Sequence, residues 1–180
     1  MAKRGLSVAT IAAQAGGYID AASGGVVPPI QPSTTFARDR NYALHASGNI
    51  YSRDDNDVAR VAEGLLMQLD NAQAALLFPN GMAAIAAVFR ALPTGSRLLL
   101  QSQIYWGTTK WLRAFCKRRG LVLVEADLSD PAQMAQLCVV HKPDLVFIET
   151  PSNPWLRSTD IAHAAGCVHA HGGRLVVDAT

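Results

Sequence analysis

Asp178 closes the run Leu175-Val176-Val177, which puts a carboxylate at the end of an apolar stretch where an ionised group needs a cationic partner. A binding role and an ordinary ion pair both fit it. Glu149, after Val146-Phe147-Ile148, repeats that argument in weaker form. Gly81 and Met82 follow Pro79-Asn80 and open a helical run. Free backbone N–H groups and the positive end of the helix dipole suit a phosphate at such a start, and glycine allows close approach. A plain glycine turn fits the same residues. Tyr105 offers a ring face to a flat ligand, or simply packs. Asn153, inside Pro151-Ser152-Asn153-Pro154, is either a polar contact or a turn residue. In Tyr51-Ser52-Arg53 a hydroxyl stands beside a guanidinium, as in a phosphate clamp, although Asp54, Asp55 and Asp57 equally suggest a solvated arginine.

Singly these signals are weak, but five of the residues come in order at the ends of apolar runs. A pyridine ring carrying a phosphate would use all of them: phosphate on the glycine turn, ring face on Tyr105, ring nitrogen on Asp178. Other sites find no support. Neither GxGxxG nor GxxxxGK[ST] occurs, and there is no GxSxG elbow. His163, His169 and His171 do not share one helix face, so no metal site is expected.

The elements that must position these residues are legible as alternation. Val58, Val61, Leu65 and Leu69 recur at helical spacing over 57–70, and 82–91, 107–118 and 131–140 read as further helices. Asp130-Pro131 caps the third of these, and Thr159 is expected to cap a helix carrying Ile161, Ala164, Ala165 and Val168. Apolar runs at 74–78, 97–101, 121–125, 145–149 and 174–178 read as strands. Strands alternating with amphipathic helices imply an α/β fold, a mostly parallel sheet with helices on both faces. Residues 1–50, with two GG pairs, a PP pair and QPSTT, read as an extended arm that packs on the body or on a second subunit; 51–180 form the main domain. The chain stops two residues after Asp178, at a strand end, so the domain is expected to be truncated.

Composition narrows the classes. At 180 residues and 49% hydrophobic side chains the chain can bury a core without a disulfide or metal staple. A net charge of +2 excludes a strongly basic nucleic-acid coat and gives no reason for a membrane partner. Cys116, Cys138 and Cys167 form no CxxC and read as small buried residues of a reducing compartment. With no signal peptide core and no spanning run, a cytoplasmic location is expected.

Six motifs then match a known pattern in order: VVPPIQPSTTF at 26–36, YSR at 51–53, FPNGMAAI at 78–85, YWGT at 105–108, ETPSNP at 149–154 and VVDAT at 176–180. With them the chain resembles the N-terminal part of the cysteine/methionine-metabolism family of pyridoxal-phosphate enzymes, which includes cystathionine γ-synthase, the cystathionine lyases and methionine γ-lyase. ETPSNP is similar to the γ-type members. The resemblance implies an aspartate-aminotransferase-like (type I) large domain and pyridoxal 5′-phosphate as cofactor. It implies γ-elimination or γ-replacement on cystathionine or a homoserine ester. By motif, Gly81 and Met82 would hold the phosphate, Tyr105 would stack on the ring and assist proton transfer, and Asp178 would keep the ring nitrogen protonated. Asn153 and Thr180 would lie near the ring's phenolic oxygen. Tyr51 and Arg53 would reach a neighbouring subunit's phosphate, so the arm implies a homo-oligomer, a dimer of dimers forming a homotetramer.

Three departures stand out. YSR is followed by Asp54-Asp55-Asn56-Asp57 rather than a Gly-Asn-Pro-Thr-type segment, and Ala179 replaces the usual Asn. The Schiff-base lysine belongs to a Ser-x-Thr-Lys segment beyond Asp178, which Lys3, Lys110, Lys117 and Lys142 do not match. The 180 residues alone are therefore expected to be inactive, and the alternative is a non-catalytic remnant that associates with a full-length homologue.

Overall fold

The computed structural model describes residues 6–45 and 48–180. They divide into two compact units at the Phe78–Pro79 boundary.

In the first unit, helix α1 (Val8–Ala13) opens at Ser7, whose hydroxyl oxygen accepts from the Thr10 N–H at 3.2 Å. A 3₁₀ turn (Ala15–Gly17) follows. Helix α1 lies within the expected arm; at six residues it is too short to show a period. The arm beyond it is held by local bonds: the Asp20 carboxylate accepts from Ser23, and isolated antiparallel bridges join Thr35 to Tyr51 and Arg38 to Leu44. Helix α2 (Asp57–Leu69) packs on α1 and the 3₁₀ turn. Without a proline, its entry is set by Asn56, whose side chain accepts from the Ala59 N–H at 2.9 Å. The expected strand at 74–78 is not formed. That segment joins no ladder, and Leu76, Leu77 and Phe78 are exposed; an apolar run becomes a strand only beside another strand.

The second unit is a parallel sheet of β1 (Arg97–Gln101), β2 (Val122–Ala126), β3 (Leu145–Glu149) and β4 (Arg174–Asp178), in the order β2-β1-β3-β4. Its helices are α3 (Gly81–Arg90), α4 (Trp106–Arg119), α5 (Pro131–His141) and α6 (Ile161–His169). Period-2 alternation sends Leu98, Leu100, Leu145 and Phe147 into one core with Phe89, Leu112 and Phe115 from α3 and α4. Leu99, Val146 and Ile148 go to the opposite core, with Met134, Cys138, Ala164 and Val168 from α5 and α6. Helices thus cover both faces, as the alternation implied. Helix α4 ends at Gly120, whose φ of +65° is the left-handed cap conformation.

One cap differs from the sequence reading. Asp160, not Thr159, caps α6, accepting from the His163 N–H at 2.9 Å. Thr159 is turned inward instead, donating to Gln101 Oε1 at 3.4 Å. Cys116 and Cys138 are buried, which pushes their thiols up, and Cys167 is half-buried beside His163. Among the described residues no helix is long and apolar enough to cross a membrane.

Candidate functional site

The chain runs outward from β1 to β2 on one side, then returns to place β3 and β4 on the other. The strand order reverses between β1 and β3. In open α/β sheets, such a switch point opens a crevice beyond the carboxyl ends of the strands. A cavity of about 400 Å³ lies at that edge, lined by Asn80, Gly81, Met82, Ile85, Tyr105, Glu149, Asn153, Asp178 and Thr180. Six of the expected site residues, Gly81, Met82, Tyr105, Asn153, Asp178 and Thr180, therefore meet at one place. They arrive from the start of α3 and from the ends of three strands, across a hundred residues of sequence.

Asn80 caps α3, its side chain accepting from the Ala83 N–H at 2.8 Å. The N–H groups of Gly81 and Met82 stand in the first turn, where no intrahelical acceptor exists. A Cβ built on Gly81 would meet no protein atom within 4 Å, so the cavity side of this turn is open. The Met82 sulfur accepts from the Thr108 hydroxyl at 3.6 Å, which ties the start of α3 to that of α4.

Tyr105 is the residue before α4 and lines the cavity with its neighbours held from behind. Glu149, buried at the end of β3, supplies the hold. Its Oε2 accepts from the Tyr105 N–H at 3.0 Å and its Oε1 from the Asn153 N–H. The Glu149 N–H in turn donates to Gln101 Oε1 at 3.1 Å. One carboxylate thus fixes the loops after β1 and β3 together. The Asn153 loop has a second tie: the Arg157 N–H donates to Ser152 Oγ at 3.1 Å, and the Arg157 guanidinium pairs with Asp127 after β2. The Ser129 hydroxyl, then the Ser129 N–H and Arg157, hold the Asp127 carboxyl below the usual carboxylate range despite its partial burial.

Asp178 is half-buried at the end of β4. Its Oδ1 accepts from the Thr180 N–H at 3.2 Å and the Thr180 hydroxyl at 2.6 Å. No described residue forms a salt bridge with it, so the cation that a strand-end carboxylate calls for is not supplied by this unit.

Tyr51 and Arg53 belong to the first unit. The Arg53 guanidinium lies 4.8 Å from the centre of the Tyr51 ring, and the segment is held by the Ser52 N–H donating to Thr34 O at 2.9 Å. Sequence reasoning missed Asn80 and Ile85 and underrated Glu149. Asn80 has the residue type of a helix cap, and Ile85, four residues after Gly81, shares its helix face. Glu149 acts on the backbone N–H groups of Tyr105, 44 residues earlier, and Asn153, four residues later, a pairing that no local pattern of residue types records.

The family model for Cys/Met metabolism PLP-dependent enzymes matches residues 9–180. Cystathionine gamma-lyase of Bos taurus is 36% identical over 156 residues, which are 86% of this chain and 38% of that protein. A cystathionine gamma-synthase/O-acetylhomoserine (thiol)-lyase of Bacillus subtilis is 33% identical over 173 residues, 96% of this chain and 46% of its own. Among solved structures, cystathionine gamma synthase of Xanthomonas oryzae pv. oryzae in complex with cystathionine superposes with a TM-score of 0.88 at 33% identity, covering 98% of this chain and 45% of that one. The chain thus spans less than half the length of these relatives.

Proposed function

The chain belongs to the Cys/Met-metabolism family of PLP-dependent enzymes, and from that membership we propose that it forms the pyridoxal-phosphate-binding part of an enzyme acting at Cγ of cystathionine or a homoserine ester. The observation that carries this reading is the convergence of Gly81, Met82, Tyr105, Asn153, Asp178 and Thr180 on one cavity at the switch point of the sheet. The residues fit the cofactor. The first turn of α3 offers N–H donors to a phosphate, and an unpaired carboxylate stands across from it for a protonated ring nitrogen. Bound there, pyridoxal phosphate would supply the electron sink that lets a substrate lose its α-proton.

The rest of the chemistry is the work of this chain's own groups. The N–H groups of Gly81 and Met82 hold the phosphate oxygens. The Tyr105 ring covers one ring face and excludes water from it. Asp178 keeps a proton on the pyridine nitrogen, while Thr180, donating to Oδ1, orients that carboxylate. The Asn153 amide donates toward the ring's phenolic oxygen, from a backbone that Glu149 holds. Tyr51 and Arg53 clamp the phosphate of a second copy, which gives the exposed arm a partner and makes the active form an oligomer.

Titration of the Met1–Thr180 chain with pyridoxal 5′-phosphate, followed by borohydride reduction, tests the reading. Reversible binding that weakens on Tyr105→Ala and on Asp178→Ala is expected, with no single lysine labelled. Stoichiometric labelling of Lys110 would overturn it, since Lys110 does not line the cavity.

A further inference from the structure

Gly107 occupies the first turn of α4. Its φ is not in the left-handed region, so its backbone does not require glycine. In such a place alanine would be favoured by roughly 1 kcal/mol. The other α-helical glycines, Gly64, Gly81 and Gly166, would receive a Cβ with nothing within 4 Å. Gly107 differs: a Cβ there would stand 2.5 Å from Tyr105 Cε1, 2.9 Å from Cζ and 3.1 Å from the hydroxyl oxygen. The hydroxyl-bearing edge of the Tyr105 ring thus occupies the space a Cβ at position 107 would need. Its backbone is pinned at the same time, because Glu149 Oε2 accepts from the Tyr105 N–H at 3.0 Å.

We propose that Gly107 and Glu149 are positioning residues that set the Tyr105 ring for stacking, Gly107 by leaving room beneath the ring and Glu149 by fixing the residue's backbone. The inference rests on the cofactor reading above for what the ring stacks on, but not for where the ring lies. The three atoms nearest a methyl at position 107 all belong to the end of one side chain, which can rotate away. The fold survives such a change and the ring moves. Position 107 therefore separates ring placement from stability, which a purely structural glycine would not do.

Three measurements on the same protein decide the matter. In the cofactor-free protein, NMR should show contacts between the Tyr105 ring protons and the Gly107 α-protons. Gly107→Ala should shift the Tyr105 ring resonances while keeping or raising Tm. It should weaken pyridoxal 5′-phosphate binding by about fivefold to tenfold, the scale of one aromatic contact. In a Tyr105→Ala background the same substitution should cost nothing more, because the ring it displaces is gone. Glu149→Gln, which turns an amide N–H toward one of the two backbone donors, should also move the Tyr105 ring resonances; if it fails to fold, Gly107→Ala still decides. Unmoved ring resonances in Gly107→Ala, or an affinity loss of equal size with and without the Tyr105 ring, would overturn the inference. A failure of the cofactor reading looks different: the NMR contacts and their loss are seen, yet pyridoxal phosphate binds no more weakly to Tyr105→Ala than to the parent.

Discussion

The two units put apolar side chains to opposite use. Every described apolar residue that is fully buried lies beyond Phe78, on the strands and helices of the second unit. In the first unit Val26, Val27 and Leu76 are 72–76% exposed and Ile30 is 95% exposed. The difference is one of geometry. A parallel sheet gives each strand two faces, and α3 with α4 on one side and α5 with α6 on the other close both. Among its described residues the first unit has two helices, a 3₁₀ turn and isolated bridges, with no sheet face to close over. The exposed apolar residues of this unit are the ones that the proposed packing against a second copy would cover.

The comparison can be broken at several points. The largest effect is expected at the site of the second unit. Asp178→Asn in the full-length enzyme should abolish turnover while pyridoxal phosphate still binds, because an amide cannot hold the ring nitrogen protonated. Steady-state rates beside a cofactor titration check this, and a rate within about tenfold of the parent would remove Asp178 from its role.

Next comes the core. Phe147 is buried on β3, its ring 5.6 Å from that of Phe89. Phe147→Ala should cost about 3–5 kcal/mol by denaturant unfolding. Leu65→Ala, on the half-buried face of α2, should cost about 1 kcal/mol or less. Equal losses would mean that the first unit has a core of its own, and the contrast between the units would fall.

A smaller effect tests the arm. Arg53→Ala should weaken cofactor affinity by about tenfold, one charge-assisted phosphate contact, with little change in the unfolding midpoint. Mixing these subunits with subunits whose own ring site is disabled should restore activity in hybrids. If no hybrid recovers, Arg53 does not serve a neighbour.

The smallest effect is acid sensitivity. Asp127 is held below the usual carboxylate range, first by the Ser129 hydroxyl. A carboxyl depressed in the folded state adds stability above its ordinary pKa of about 4 and loses it as pH falls through the lowered value. Asp127→Asn should therefore be slightly less stable than the parent at neutral pH, and the gap should close below about pH 4. Urea midpoints across that range report it; a gap that stays open in acid would assign the loss to something other than this charge.

What the sequence determined by itself was local or periodic. Strands β1, β3 and β4 were legible to the residue because short apolar runs ended at charged or polar residues, and β2 to within one. Gly81, Met82, Tyr105, Asn153 and Asp178 were legible because each follows or ends such a run or opens a helix, whereas Thr180 came only with the family resemblance. The tertiary structure decided the rest. The run at 74–78 is as apolar as the four strands, but a strand is a property of a pair, and among the described residues none pairs with it. Thr159 and Asp160 are both good caps by type; the buried Gln101 carboxamide drew Thr159 inward and left the cap to Asp160. Glu149 looked like a lesser copy of Asp178, and its two backbone partners lie 44 and 4 residues away. The need for glycine at 107 exists only because a ring lies over it, and no pattern of residue types records where a ring will lie.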